Sequence, residues 1–176
     1  YFDQDRYADP SKSIRGGIPV LFPICGNLPG DVLPVHGVEY LLKQHGFARD
    51  LPWQLQLLED QSGVRLTLSS NEATLAAYPF PFLLEMELRP ISGALEISTT
   101  VHNRGSTAMP FSFGLHPYFK VSDLAQTRLT GLAERCLNHL EMAEAATAEQ
   151  LKRLPEGVDF LCPPGGPVSL IDDATG

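Results

Sequence analysis

The amino-acid sequence predicts an all-β domain built on a large antiparallel sheet, with one short helix. Three observations point there. Val64, Leu66 and Leu68 alternate with Arg65, Thr67 and Ser69; Leu84, Met86 and Leu88 alternate with Glu85, Glu87 and Arg89; Leu95, Ile97, Thr99 and Val101 alternate with Glu96, Ser98, Thr100 and His102. A period of two is the signature of strands with one solvated face. Turn signals at Asp60-Gln-Ser-Gly63, Ile91-Ser-Gly93 and Asn103-Arg-Gly105 separate these runs at hairpin spacing. Helical signals gather only over residues 141–154, where Thr147 and Gln150 form a capping box, Leu151 and Leu154 face inwards, and Pro155 with Gly157 ends the helix.

Along the chain, residues 1–13 are polar, carry an Asp9-Pro10-Ser11 turn signal and read as a surface loop. Residues 13–27 are apolar but broken by glycines and prolines, which exclude a long helix and disfavour a central strand. Arg15 is the one charge in that segment. Its guanidinium either pairs with a structural carboxylate or meets a ligand. His36-Gly37 sits between Val32-Leu-Pro-Val35 and Val38-Glu-Tyr-Leu-Leu42, so a hairpin turn accounts for that histidine. Lys43-Gln-His-Gly-Phe-Ala-Arg-Asp50 gathers His45, Arg49 and Asp50 around Gly46, just before the lone Trp53. Such a set suits a sugar or phosphate, with donors on oxygens and a ring on an apolar sugar face; an Arg49–Asp50 surface pair is the plainer reading. Trp53, Leu55 and Leu57 then begin the alternating strands, and Tyr78-Pro-Phe-Pro-Phe82 reads as an edge or a packing plug. Glu85, Glu87, Glu96 and His102 fall on the solvent face and take no function. Short strands fill residues 124–140, and Asp159 opens a further strand, where it can cap a turn or accept hydrogen bonds from hydroxyls.

Composition narrows the partners. A chain of 176 residues, 43% hydrophobic and 19% charged, suits one globular domain spanning 1–176. A net charge of -8 argues against nucleic acid and anionic membranes, so an anionic ligand would need a local arginine cluster. No run reaches the roughly 18–20 apolar residues of a transmembrane helix, and no signal peptide opens the chain. The three cysteines, Cys25, Cys136 and Cys162, are odd in number and widely spaced, which predicts reduced thiols in a cytoplasmic protein and no metal site. Ending on an apolar strand with turn residues, Val168-Ser-Leu-Ile-Asp-Asp-Ala-Thr-Gly176, the sequence carries the expectation of further residues after Gly176 and before Tyr1.

The stretch richest in chemistry is Met109-Pro-Phe-Ser-Phe-Gly-Leu-His-Pro-Tyr-Phe-Lys120, which sets His116 among Phe111, Phe113, Tyr118 and Phe119. Pro117 biases His116 towards extended backbone, and Gly114 permits a bend or bulge before it. An imidazole with an ordinary pKa of about 6.5 is suited to proton transfer near neutrality. A core histidine bonded to a backbone carbonyl is the alternative on local sequence.

Taken together, Ser13-Ile-Arg-Gly-Gly-Ile-Pro-Val-Leu-Phe-Pro23, Gln44-His-Gly-Phe-Ala-Arg49, the His116 motif and Gly157-Val-Asp159 resemble, in order and over nearly the whole chain, the aldose 1-epimerases of the galactose-mutarotase-like superfamily. The resemblance is closest to the glucose-6-phosphate 1-epimerase, or hexose-6-phosphate mutarotase, branch. It implies a large antiparallel β-supersandwich, truncated here at both ends, and interconversion of the α and β anomers of an aldose or aldose 6-phosphate by acid/base catalysis through ring opening, without a cofactor. It further implies that His116 is the general acid, that His45 orients sugar oxygens, that Arg15 and Arg49 hold the sugar or its phosphate, and that Asp159 binds hydroxyls. The family's catalytic base is a glutamate near the C-terminus, for which these residues show no equivalent motif. The partner expected is a small-molecule sugar or sugar phosphate, for a monomer or weak dimer. A catalytically silent carbohydrate-binding or regulatory protein on the same fold is the competing expectation.

Overall fold

In the computed structural model, residues 1–9, 11 and 15–174 are described. Pro10, and with it part of the turn expected there, lies outside them, as do Ser13 and Ile14 of the first motif. The chain forms two compact units, Tyr1–Tyr118 and Phe119–Gly176.

The first unit contains α1 (Gln4–Ala8), β1 (Val20–Leu21), β2 (Val32–Val35), β3 (Val38–Leu41), β4 (Gln54–Leu57), β5 (Val64–Ser69), α2 (Glu72–Ala77), β6 (Phe82–Ile91), β7 (Ala94–Asn103) and β8 (Gly114–Leu115). Strands β4 to β7 form an antiparallel meander in chain order, as the alternation predicts. β2 and β3 make a hairpin whose turn residues, His36 and Gly37, have φ of 50° and 82°, so His36 is a turn residue.

Register places Phe82, Leu84, Met86 and Leu88 on the same sheet face as Leu68, Leu66 and Val64, and as Leu55 and Leu57 of the edge strand. One end of this face is covered by Phe22, Leu42, Ala48, Tyr78 and Phe80, which pack with Leu68, Phe82 and Leu84 into the core. Rings meet edge-on there, with Phe22 5.0 Å from Phe82 and 6.1 Å from Tyr78. Each buried ring removes on the order of 150–250 Å² from water, making this aromatic knot the main source of stability in the unit. Residues 78–82 are therefore the plug, with Tyr78 and Phe82 fully buried. At the other end of the face Leu55 and Leu57 remain 63% and 72% exposed. Alternation assigns these leucines to the correct face but carries no information on what covers it.

The opposite face holds Arg65, Glu87 and Arg89, with Arg89 bonded to both Glu87 (3.1 Å) and Asp60 (3.0 Å). His102 and Glu85 pair on the same face. These charges are substantially exposed and contribute little net stability.

Two helices depart from the expectation of one. α1 replaces the surface loop because Asp3 accepts from the Arg6 amide and caps it. α2 is closed by a capping box in which Asn71 accepts from the Thr74 amide and the Thr74 hydroxyl accepts from the Asn71 amide. Both are short enough that no apolar stripe marks them in sequence, so the caps are the only local signal.

The second unit contains β9 (Thr127–Leu132), β10 (Arg135–Asn138), β11 (Ala143–Ala146), α3 (Thr147–Lys152), β12 (Phe160–Leu161) and β13 (Pro164–Asp172). β13 pairs with β9, and β10 is central to the order β11-β10-β12. The expected helix over 141–154 is shortened because Ala143–Ala146 pair as a strand with β10. Thr147 is consequently helical rather than capping; Ala146 holds the N-cap position without a side-chain bond. Among the described residues, no helix is long and apolar enough to cross a membrane, and no cluster of three or more His, Cys, Asp or Glu could hold a metal.

Candidate functional site

Three segments of the first unit converge through backbone hydrogen bonds. β1 pairs with β8, Val20 opposite Leu115 and Leu21 opposite Gly114. The ladder continues irregularly as the His116 amide donates to the Pro19 carbonyl and the Tyr118 amide to the Gly17 carbonyl, both at 3.0 Å. His116 thus leaves a strand end beside the segment carrying Arg15. Gly114 lies within β8 and has no left-handed φ; a Cβ there would come 2.9 Å from the Cys25 sulfur, so that side chain would have to shift.

The third segment docks through Phe22. Its carbonyl accepts from the amides of Phe47 (3.0 Å) and Ala48 (3.2 Å), and a parallel bridge joins Phe22 to Gly46. Ala48–Asp50 then form a single helical turn. His45 and Gly46 occupy left-handed backbone, with φ of 66° and 69°. The His45 amide donates to the Gly26 carbonyl (2.8 Å), while the Gly26 amide donates to His45 Nδ1 (2.9 Å).

The result is a cavity of about 540 Å³ lined by Arg15, Gly16, Ile18, Pro19, Gln44, His45, Arg49, Asp50, His116 and Tyr118. The imidazoles of His45 and His116 are 6.4 Å apart between centroids, and the Tyr118 ring lies 5.0 Å from His116 at 36°. The Tyr118 hydroxyl accepts from Arg15 (3.3 Å). Arg49 donates to the Gln44 carbonyl (3.4 Å) and is 3.8 Å from Asp50. Burial, then the nearby Arg49 cation, then His116 lower the His45 pKa from its ordinary value. Among the described residues, none hydrogen-bonds the His116 imidazole.

Four of the residues singled out in sequence, Arg15, His45, Arg49 and His116, therefore line one cavity. Asp159 belongs to the second unit, directly before β12, where it accepts at 3.1 Å from His139 Nδ1 in the tautomer that carries a proton there. Trp53 is not the ring of the cavity. It packs against the core and donates its indole N–H to the Ala48 carbonyl (2.9 Å), bracing the turn that carries Arg49. The lining ring is Tyr118, which the sequence reading included only as an aromatic neighbour. Its position two residues beyond His116 in extended backbone is a signal that could have found it, since i and i+2 share a side. Gln44 and the Gly26 amide left no comparable trace.

Comparison with known proteins bears on the family and the fold. The aldose 1-epimerase family model matches residues 1–160. A relative from Salmonella typhimurium named "Putative glucose-6-phosphate 1-epimerase" is 32% identical over 167 residues, covering 93% of this chain and 52% of its own length. A protein of the same name from Cenchrus ciliaris is 36% identical over 135 residues, covering 70% and 37%. The chain thus spans about half or less of the length of these relatives. The crystal structure of the Slr1438 protein from Synechocystis superposes with a TM-score of 0.90 at 40% identity, covering 99% of this chain and 62% of that one. A galactose mutarotase related enzyme from Lactobacillus acidophilus shares the fold at a TM-score of 0.64 and 22% identity. With its strands, its motifs and the family model in agreement over most of its length, the chain belongs to the aldose 1-epimerase family.

Proposed function

We propose that this chain provides the sugar-binding cavity and the general acid of a mutarotase acting on an aldose or aldose 6-phosphate. The observation that carries the reading is the convergence of an unbonded His116 imidazole with His45, Arg15 and Arg49 on one cavity. Anomer exchange requires a proton on the ring oxygen as the ring C–O bond breaks, and its removal from the anomeric hydroxyl. His116 is suited to the first task because an imidazole can deliver a proton to an oxygen and take it back, and no described residue occupies its ring nitrogens. The base is assigned, on the resemblance, to a carboxylate outside these residues. Asp159 is assigned on the same ground to sugar hydroxyls.

Two arginines at the cavity of a protein with a net charge of -8 favour an anionic sugar over a neutral one. Arginine forks match phosphate oxygens, and the negative balance of the whole chain would otherwise repel a phosphate. Magnetisation-exchange NMR of glucose, galactose and glucose 6-phosphate, on the longest gene product that contains this chain, tests both steps. His116→Ala is expected to slow exchange by about 10²–10⁴; an unchanged rate removes His116 as the acid. Equal rates on glucose and glucose 6-phosphate remove the phosphate preference. Sugar binding without exchange would leave the chain a carbohydrate-binding protein.

A further inference from the structure

The two histidines of the cavity are held in different ways. His45 has one ring nitrogen occupied: Gly26 N–H points at Nδ1 at 2.9 Å, and because an amide can only donate, Nδ1 must be the unprotonated acceptor. A neutral imidazole that accepts at Nδ1 carries its proton on Nε2. A second bond, His45 N–H to the Gly26 carbonyl at 2.8 Å, closes a ring between the two residues and fixes both the backbone and the side chain of His45. His116 is tethered by its backbone amide to Pro19, and its imidazole rests on Tyr118 with both nitrogens unclaimed by the described residues.

We propose that the Gly26 amide locks His45 as the neutral Nε2–H tautomer, so that a main-chain group fixes which ring nitrogen of His45 is a donor and holds that donor in one position at the cavity. Protonating His45 would put a hydrogen on Nδ1 against the Gly26 N–H and break a bond in a half-buried setting, where an unpaired amide is costly. The surrounding charges act in the same direction. Arg49 on the same segment and Arg15 across the cavity oppose a second cation, while Asp50, the carboxylate in the lining, is engaged at 3.8 Å by Arg49. The Tyr118 hydroxyl is bonded to Arg15. The lowered pKa of His45 agrees with a neutral imidazole.

The use of that donor rests on the mutarotase reading, but the tautomer does not, so the two fail separately. The test is a long-range ¹H–¹⁵N correlation spectrum of the chain labelled at histidine nitrogens, followed against pH, with His45→Asn to assign the signals. Asparagine tolerates the left-handed backbone at position 45 and keeps an acceptor for Gly26. The expected result is an Nε2–H pattern for His45, with Nδ1 unprotonated, that persists as the pH is lowered past the ordinary histidine value of 6.5. An Nδ1–H pattern for His45, or interchange between its two tautomers, overturns the proposal. Loss of anomer exchange in the longer gene product, with the Nε2–H pattern intact, would count against the mutarotase reading alone.

Discussion

Gly46 packs its backbone directly against the carbonyl of Phe22: a Cβ added at Gly46 would lie 2.3 Å from that oxygen. The same carbonyl accepts from Phe47 and Ala48, so one backbone group of a fully buried phenylalanine anchors the segment that carries His45 and Arg49. Gly46→Ala is therefore expected to cost about 1–2 kcal/mol from its φ of 69° alone, and more from the displaced contact. Urea unfolding measures the loss. Chemical shifts of the His45 ring report whether the segment has moved, and a variant as stable as the wild type would contradict this anchoring.

Tyr118 joins Arg15 to His116, holding the first through its hydroxyl and the second through its ring. Removing the hydroxyl alone in Tyr118→Phe should weaken binding of glucose 6-phosphate by about 2–10-fold, the value of one hydrogen bond, with little effect on glucose. Tyr118→Leu should in addition alter the His116 ring shifts, because the tilted aromatic ring 5.0 Å away is lost. Titration of each sugar by NMR separates the two contributions.

Stability should fall as pH drops below the ordinary histidine value of 6.5, because the folded-state pKa of His45 is lowered, first by burial and then by Arg49 and His116. Between the folded and unfolded values the unfolded chain binds a proton that the folded chain does not, so acid favours unfolding, and the contribution is fully present above 6.5. Urea midpoints compared above and below this window should show a smaller acid loss in His45→Asn than in the wild type.

Tyr78 should resist alkali. It is fully buried and donates its hydroxyl to the Pro110 carbonyl at 2.7 Å, and burial raises its pKa well above the usual 10.0. Ultraviolet titration should therefore show one of the five tyrosines ionising only as the protein unfolds. Tyr78→Phe should cost about 0.5–1.5 kcal/mol, or more if the Pro110 carbonyl remains buried without a donor.

Phosphate preference depends on Arg15 and Arg49, so Arg15→Gln and Arg49→Gln should each lower affinity for glucose 6-phosphate about tenfold or more while sparing glucose. A charge-assisted hydrogen bond is worth about 1.5–3 kcal/mol, which sets the scale. Equal losses for both sugars would show that the arginines meet hydroxyls instead.

The sequence by itself determined the β class, the β5–β6–β7 meander and the His36-Gly37 hairpin, and narrowed residues 78–82 to an edge or a packing plug. These follow from periodicity and turn chemistry, which are properties of residues close together in the chain. It also singled out Arg15, His45, Arg49 and His116, because motifs in a shared order carry information that no isolated residue does. Only the tertiary structure decided that these four line one cavity, that Tyr118 and not Trp53 supplies its ring, and that Leu55 and Leu57 share the core face yet stay exposed. Those facts depend on backbone bonds between segments far apart in sequence: Phe22 with residues 46–48, Pro19 with His116, and Gly26 with His45. A backbone amide looks the same in every residue, so the bond that sets the tautomer of His45 leaves no mark on the amino-acid string. It exists only once the chain has brought residue 26 to residue 45.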